Sequence, residues 1–225
     1  MKEKLNEEGI AMRVAKELEN GESVNLGVGI GSMVPMFIAP EKDITFHSEN
    51  GVIGFGKVLT LEEAELMNFN LINAGSQYIM RKPGMSLCDI AEAFDAIRIG
   101  KVNTTVLGGL QVSEKGDLAN WSVQPEAHIG NIGGAMDMPI GVKKVIVAMT
   151  HTTKQGQPKI LKKCTLPITA LECVDIIITD VAMIEVTDEG LVLREVFPGW
   201  TPKDVQEITE PKLIISPDLQ EMKLI

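Results

Sequence analysis

The sequence predicts an α/β fold in a single domain spanning residues 1–225. Three observations carry the prediction. Helix-period and strand-period segments alternate from the start of the chain. Later runs such as KKVIVAM and VDIIIT are short, continuous and apolar, as strands buried on both faces are. And 225 residues, 44% of them apolar, can fill one large core but not comfortably two. Only 4% are aromatic, so Val, Ile, Leu and Met must fill it.

The elements follow in order. In residues 7–19, EEGIAMRVAKELE, Ile10, Val14 and Leu18 recur at spacings of four, the stripe of an amphipathic helix, and Gly21 stops it. SVNLGVGIG then reads as a strand through Val24, Leu26 and Val28 that runs into a turn at Gly27, Gly29 and Gly31. A second helix is expected over Ser32–Ile38, ending before Pro40, and a strand over Ile44–Ser48. Ser86 with Asp89 has the form of a capping box for a helix Leu87–Ile99 that Gly100 closes. Strands are predicted at Val102–Leu107, Lys143–Met149 and Val174–Thr179. Hairpins are predicted around Glu114–Asp117, with Gly116 at a positive-φ position, and between Met183–Val186 and Leu191–Glu195. Thr201-Pro202 opens a helix to Thr209, and Lys212–Ile215 forms a last short strand. With no internal repeat or linker, one domain with a mixed sheet is expected.

The formal net charge of −10 argues against a nucleic-acid or anionic-membrane partner, each of which requires a basic footprint. Cys88, Cys164 and Cys173 are odd in number and lack metal-site spacing, so buried small hydrophobes in a reduced, cytoplasmic setting are expected. The N-terminus, MKEKLNEEGI, is charged with no apolar run behind it, so no signal peptide is expected, and no stretch approaches transmembrane length.

Candidate chemistry concentrates in three places. NLGVGIG spaces its glycines Gly27-x-Gly29-x-Gly31, which departs from the dinucleotide fingerprint. It reads as a tight strand-to-helix turn, or as amides able to hold an anion. In GNIGGAMDM, residues 130–138, Gly133 and Gly134 precede a helix expected near Ala135. Their amides suit either a positive-φ loop or a developing oxyanion. Glu49 follows a strand in HSENGVIGFG, residues 47–56. It is either a solvated carboxylate beside an Asn50-Gly51 turn or a reactive one at a strand end, where open α/β sheets bind ligands. His47, His128 and His151 have no metal-ligand spacing, and His47 serves either to orient Glu49 or as a structural histidine. No second carboxylate and no Ser-His-Asp arrangement accompanies Glu49, which leaves a carboxylate nucleophile served by glycine amides.

NLGVGIGSMVP, HSENGVIGFG, residues 94–121, GNIGGAMDM, PKILKKCTLPIT and the segment 186–201 together resemble the β subunit of family I coenzyme A (CoA) transferases over nearly the whole chain. The pairing of Ser-Glu-Asn-Gly with Gly-Gly-Ala-Met-Asp is specific; each alone is weaker. The resemblance implies an open three-layer α/β/α fold with a mostly parallel central sheet. It implies Glu49 as the catalytic glutamate, a Gly133 or Gly134 amide at the oxyanion, and Gly27, Gly29, Gly31, Asn50 and Gly51 beside the substrate or CoA. It further implies no metal or other cofactor, CoA being a substrate, and an α partner in an α2β2 assembly whose glutamine assists the oxyanion. The acyl pair implied is a short-chain acyl-CoA, such as acetyl-CoA or butyryl-CoA, with acetoacetate; 3-oxoadipate and glutaconate types stay open, as does a non-catalytic effector-binding domain of the same fold. The family has Gly-Ile-Pro where this chain has Gly29-Ile30-Gly31, and Thr152-Thr153 also diverges. Lys143, Lys144, Lys162 and Lys163 are candidates for the CoA phosphates, or solvated surface lysines.

Overall fold

The structure, a computed structural model, describes residues 2–123 and 132–224. His128 and Gly130 lie outside the described residues.

Helix α1 (Glu7–Glu17) starts where the Asn6 side chain accepts from the Gly9 amide (2.9 Å), with Glu7 and Glu8 in its first turn and Lys16 in its last, the charge order that the helix dipole favours. It buries Ile10 and Val14 completely. Next come β1 (Ser23–Leu26), α2 (Ile30–Met33) continued by a 3₁₀ turn Val34–Phe37, β2 (Thr45–Ser48) and β3 (Val52–Phe55). After a long excursion, which the sequence pattern did not resolve, come β4 (Ser86–Leu87), α3 (Ile90–Arg98), β5 (Thr104–Gly108), β6 (Gln111–Ser113) and β7 (Leu118–Ala119). The chain continues with α4 (Met138–Gly141), β8 (Lys144–Ala148), β9 (Ile160–Leu161), β10 (Ile176–Ile178), β11 (Ala182–Thr187), β12 (Gly190–Val196), α5 (Pro202–Glu207) and β13 (Leu213–Glu221).

Among the described residues ten strands form one sheet in the order β13-β12-β11-β10-β8-β5-β1-β2-β3-β4. Its centre, β10-β8-β5-β1-β2, is parallel throughout. Antiparallel strands extend it on both sides: β3 and β4 beyond β2, β11 and β12 beyond β10, with β13 parallel to β12 at the edge. Strand β8 shows why the centre reads as an unbroken apolar run. Val145 and Val147 enter one core and Ile146 and Ala148 the other, so both faces are buried. The first core also holds α3 through Ile97, α5 through Val205 and a small sheet, β7-β6-β9; the second is packed by α1. The expected three-layer α/β architecture is present, with the small sheet sharing one outer layer with helices.

Three boundaries differ from the sequence pattern. Helix α3 is capped by Asp89, not Ser86: Asp89 Oδ1 accepts from the Glu92 amide (2.9 Å) and Glu92 Oε2 from the Asp89 amide (3.3 Å). Glu92 supplies the acidic N3 residue of a capping box, while Ser86 is taken into β4 against Ile53. Strand β1 stops at Leu26: the Gly27 amide makes a last bond to Val106 O of β5 (2.7 Å), and Gly29 then turns the chain at φ +89°, which leaves Val28 68% exposed. Strand β13 runs well past Ile215. Pro217 is tolerated because it lies at the sheet edge, where the register against β12 shifts. Among the described residues no helix is long and apolar enough to cross a membrane.

Candidate active site

Glu49 opens a three-residue turn, Glu49-Asn50-Gly51, between the antiparallel strands β2 and β3. The Gly51 amide bonds back to Ser48 O (3.0 Å), and Gly51 sits at φ +99°. A Cβ there would stand 2.0 Å from Cys88 O, so only glycine closes this turn against the β4–α3 connection. Asn50 Nδ2 donates to Ile72 O (2.8 Å) and Ser48 Oγ accepts from the Ala74 amide (2.8 Å), tying the turn to the excursion between β3 and β4.

Behind the turn, His47 is buried. Its Nδ1 meets Asn25 Nδ2 (3.1 Å), Asn25 Oδ1 accepts from Thr105 Oγ1 (3.0 Å), and His47 Nε2 meets Ala93 O (3.0 Å). These contacts fix a neutral ring that donates through Nε2, and burial pushes its pKa down. Of its two expected roles His47 takes the structural one: it locks β2 to β1 and α3 and thereby holds the strand end that presents Glu49.

The Glu49 side chain is half-buried, and among the described residues nothing hydrogen-bonds to it or pairs with its charge. Burial raises its pKa above the ordinary 4.5. Its carboxylate rests on the backbone of Gly134: a Cβ there would lie 1.8 Å from Glu49 Oε2. Gly133, at φ +52°, begins the 3₁₀ turn Gly133–Met136 that brings this backbone in. The helix expected near Ala135 is this turn followed by the short α4.

Glu49 faces a cavity of about 490 Å³ over the C-terminal ends of β1, β5 and β8. Gly27, Gly29, Gly133 and Gly134 line it with Glu49, so the structure joins two glycine segments more than a hundred residues apart in sequence. Gly31, Asn50 and Gly51 do not line it. Gly31 is buried against Val106 O, where a Cβ would approach to 3.0 Å, and Asn50 and Gly51 shape the turn. The departure from Gly-Ile-Pro at Gly31 therefore bears on how the loop packs over β5.

The lysines named from sequence lie elsewhere. Lys144 pairs with Glu22 (3.2 Å), and Lys143, Lys162 and Lys163 do not line the cavity. Lys159, two positions after Gln157 in a segment with no periodic signal, does line it. The three cysteines are free and partly buried; burial pushes Cys164 up to about 11 and Cys173 up to about 12, so these are poor nucleophiles.

Residues 7–207 match the family model described as coenzyme A transferase. The chain belongs to the coenzyme A transferase family. Within it, this CoA-transferase subunit is of the β type. It is 42% identical to the β subunit of the acetate CoA-transferase of Haemophilus influenzae, over 96% of this chain and 94% of that one. It is 38% identical to the corresponding subunit of the 3-oxoadipate CoA-transferase of Acinetobacter baylyi, over 94% of this chain and 96% of that one. The crystal structure of an acyl-CoA transferase apoenzyme from Escherichia coli O157:H7 superposes with a TM-score of 0.77, covering 98% of this chain and 44% of that one; at 22% identity this likeness concerns the fold.

Proposed function

We propose that this CoA-transferase subunit moves CoA between a short-chain acyl-CoA, acetyl-CoA or butyryl-CoA, and acetoacetate, through a thioester on Glu49. The observation that carries the reading is a carboxylate that has no counter-ion among the described residues, held against a glycine backbone inside a cavity at the strand ends.

In this scheme a Glu49 oxygen attacks the thioester carbonyl. The C–S bond breaks and CoA leaves as a thiolate, giving an acyl-glutamyl anhydride. The thiolate then attacks the glutamyl carbonyl, the anhydride C–O bond breaks, and the first acid leaves as its carboxylate. A second acid runs the steps in reverse, which makes the kinetics ping-pong. Partial dehydration strips water from the Glu49 oxygens and makes them better nucleophiles. In this reading a backbone amide of Gly133 or Gly134 serves the tetrahedral oxyanions, at about 3–4 kcal/mol for each donor. CoA contacts remote from sulfur press the reacting groups together.

An α partner completes the site in an α2β2 assembly. Supporting this, apolar side chains at or near the cavity mouth are left open: Val28 at 68% and Met136 at 51% exposure. A second reading, 3-oxoadipate as the acid, is supported by a relative of that name at similar identity.

The test is to incubate the chain, alone and with its α partner, with acyl-CoA, then to trap with hydroxylamine and locate the modified residue by mass spectrometry. A mass change at Glu49 that depends on the partner is expected. No adduct in the complex would sink the mechanism, and full turnover by the chain alone would sink the split site. A panel of acids on the complex separates acetoacetate from 3-oxoadipate.

A further inference from the structure

Lys159 stands where the Glu49 cavity meets a second groove. Its side chain lines both, as do Glu7, Leu110 and Thr150. The groove, about 690 Å³, also receives Lys4 and Lys154. Among the described residues Lys159 is the only cation that lines the Glu49 cavity.

Among the described residues no carboxylate forms an ion pair with it. Lys159 Nζ makes one long hydrogen bond, to Thr150 Oγ1 at 3.4 Å. The nearby acid, Asp180, is committed elsewhere: Oδ2 pairs with Lys4 Nζ (3.2 Å) and Oδ1 accepts from the His151 amide (2.6 Å). The Lys159 amide bonds to His151 O (3.1 Å), so its backbone is fixed beside the end of β8. Burial pushes the Lys159 ammonium down to about 8, with Asp180 acting in the opposite direction. An incoming anion would supply the missing counter-charge.

Distance selects the anion. Glu49 follows β2, Thr150 follows β8, and the order β2-β1-β5-β8 separates them by three strand spacings, about 14 Å. A short acyl group on Glu49 ends well before Lys159. The extended pantetheine arm of CoA spans that interval and brings its phosphates to the groove.

Resting on the transfer reading of Glu49, we propose that Lys159, with Lys154 beyond it, forms the phosphate anchor for CoA, and that the pantetheine arm crosses the ends of β1, β5 and β8 to reach Glu49. Glu7, at the same junction, opposes phosphate, so the two lysines carry the attraction.

The experiment uses the complex with its α partner and the variants Lys159→Met, Lys159→Arg and Lys154→Met, each checked for wild-type thermal stability. Lys159→Met should raise KM for acyl-CoA about tenfold or more, as loss of a charged hydrogen bond to an anion does. It should leave KM for the acid, and kinetics with acyl-pantetheine (the same thioester without phosphates), unchanged. Lys159→Arg should retain most of the affinity. Binding of 3′-phospho-ADP, measured by calorimetry, should weaken in Lys159→Met and less in Lys154→Met. Equal losses with acyl-CoA and acyl-pantetheine, or a rise confined to the acid's KM, would overturn the assignment. Hydroxylamine trapping after acyl-pantetheine tests Glu49 separately: no adduct in the wild type defeats the covalent mechanism, whereas nucleotide binding still decides Lys159.

Discussion

His47 and Glu49 are two residues apart at one strand end, yet they sit under opposite conditions. His47 is buried with both ring nitrogens matched. Glu49 is half-buried with no match among the described residues. Burial with compensation stabilises a fold; burial without it costs free energy and has to be held in place by the surrounding structure. The His47 network is what does the holding, through β1 and α3. His151 repeats the compensated pattern deeper in the molecule, between Thr179 Oγ1 (3.0 Å) and Thr209 Oγ1 (2.8 Å).

The comparison breaks most visibly at Glu49. Replacing Glu49 by Gln should cut turnover of the complex on the order of a thousandfold or more, since the nucleophile is gone. The same variant should be more stable than the wild type at neutral pH. A raised carboxylate pKa means the folded state holds its proton longer, so the wild type loses stability as pH rises from 4.5 through the raised value, and Gln carries no such penalty. Chemical denaturation at pH 4 and pH 7 measures it; a Gln variant less stable at pH 7 would show that Glu49 is compensated after all.

Next in size, Gly134→Ala should lower kcat/KM about a hundredfold by pushing the carboxylate out of line. A Cβ at 1.8 Å from Oε2 and 2.7 Å from Met138 Cε cannot be accommodated without moving Glu49. Near-normal kinetics in this variant would remove the oxyanion role from that backbone.

On the compensated side, His47→Leu removes the ring acceptor of the Asn25 amide, leaving it the long bond to the residue-47 carbonyl (3.5 Å), and the ring donor to the Ala93 carbonyl, and should cost about 2–3 kcal/mol of stability. The smallest effect is acid sensitivity. With its pKa pushed down to about 4, His151 stays neutral in the fold but charges in the unfolded chain, so stability present above 6.5 is lost as pH falls. Between pH 7 and pH 5 this one residue should remove about 2 kcal/mol. Replacement by Asn, followed by the same pH series, should flatten the slope.

Much of this was legible in the residues. Apolar runs located β5, β8 and β10, because a strand buried on both faces carries consecutive apolar residues, and the buried Thr104 and Thr105 of β5 are β-branched, as Val106 beside them is. Gly116 and Thr201-Pro202 marked a hairpin and a helix start through local backbone chemistry. The Ser-Glu-Asn-Gly turn drew attention to Glu49 as a strand-end carboxylate, but the residues alone left it solvated or reactive, and only the family resemblance made it the catalytic candidate. The long excursion between β3 and β4 escaped, since it is held by isolated bridges and side-chain bonds such as Asn50 to Ile72 rather than by any periodic pattern. Lys159 escaped for the same reason, and because Lys162 and Lys163 beside it are indistinguishable from it in sequence.

The sequence by itself determined the α/β alternation, the buried apolar strands and the turn that carries Glu49, all of which rest on short-range periodicity and on glycine's freedom at positive φ; the parallel sheet came only with the family resemblance. Only the tertiary structure decided that Gly134 is the surface on which Glu49 rests, that Gly31 packs on β5 and does not line the cavity, and that Lys159, alone of the cations among the described residues, does line it. Those facts depend on which distant segments the sheet order brings together, and on which charges find partners there. No local pattern encodes either.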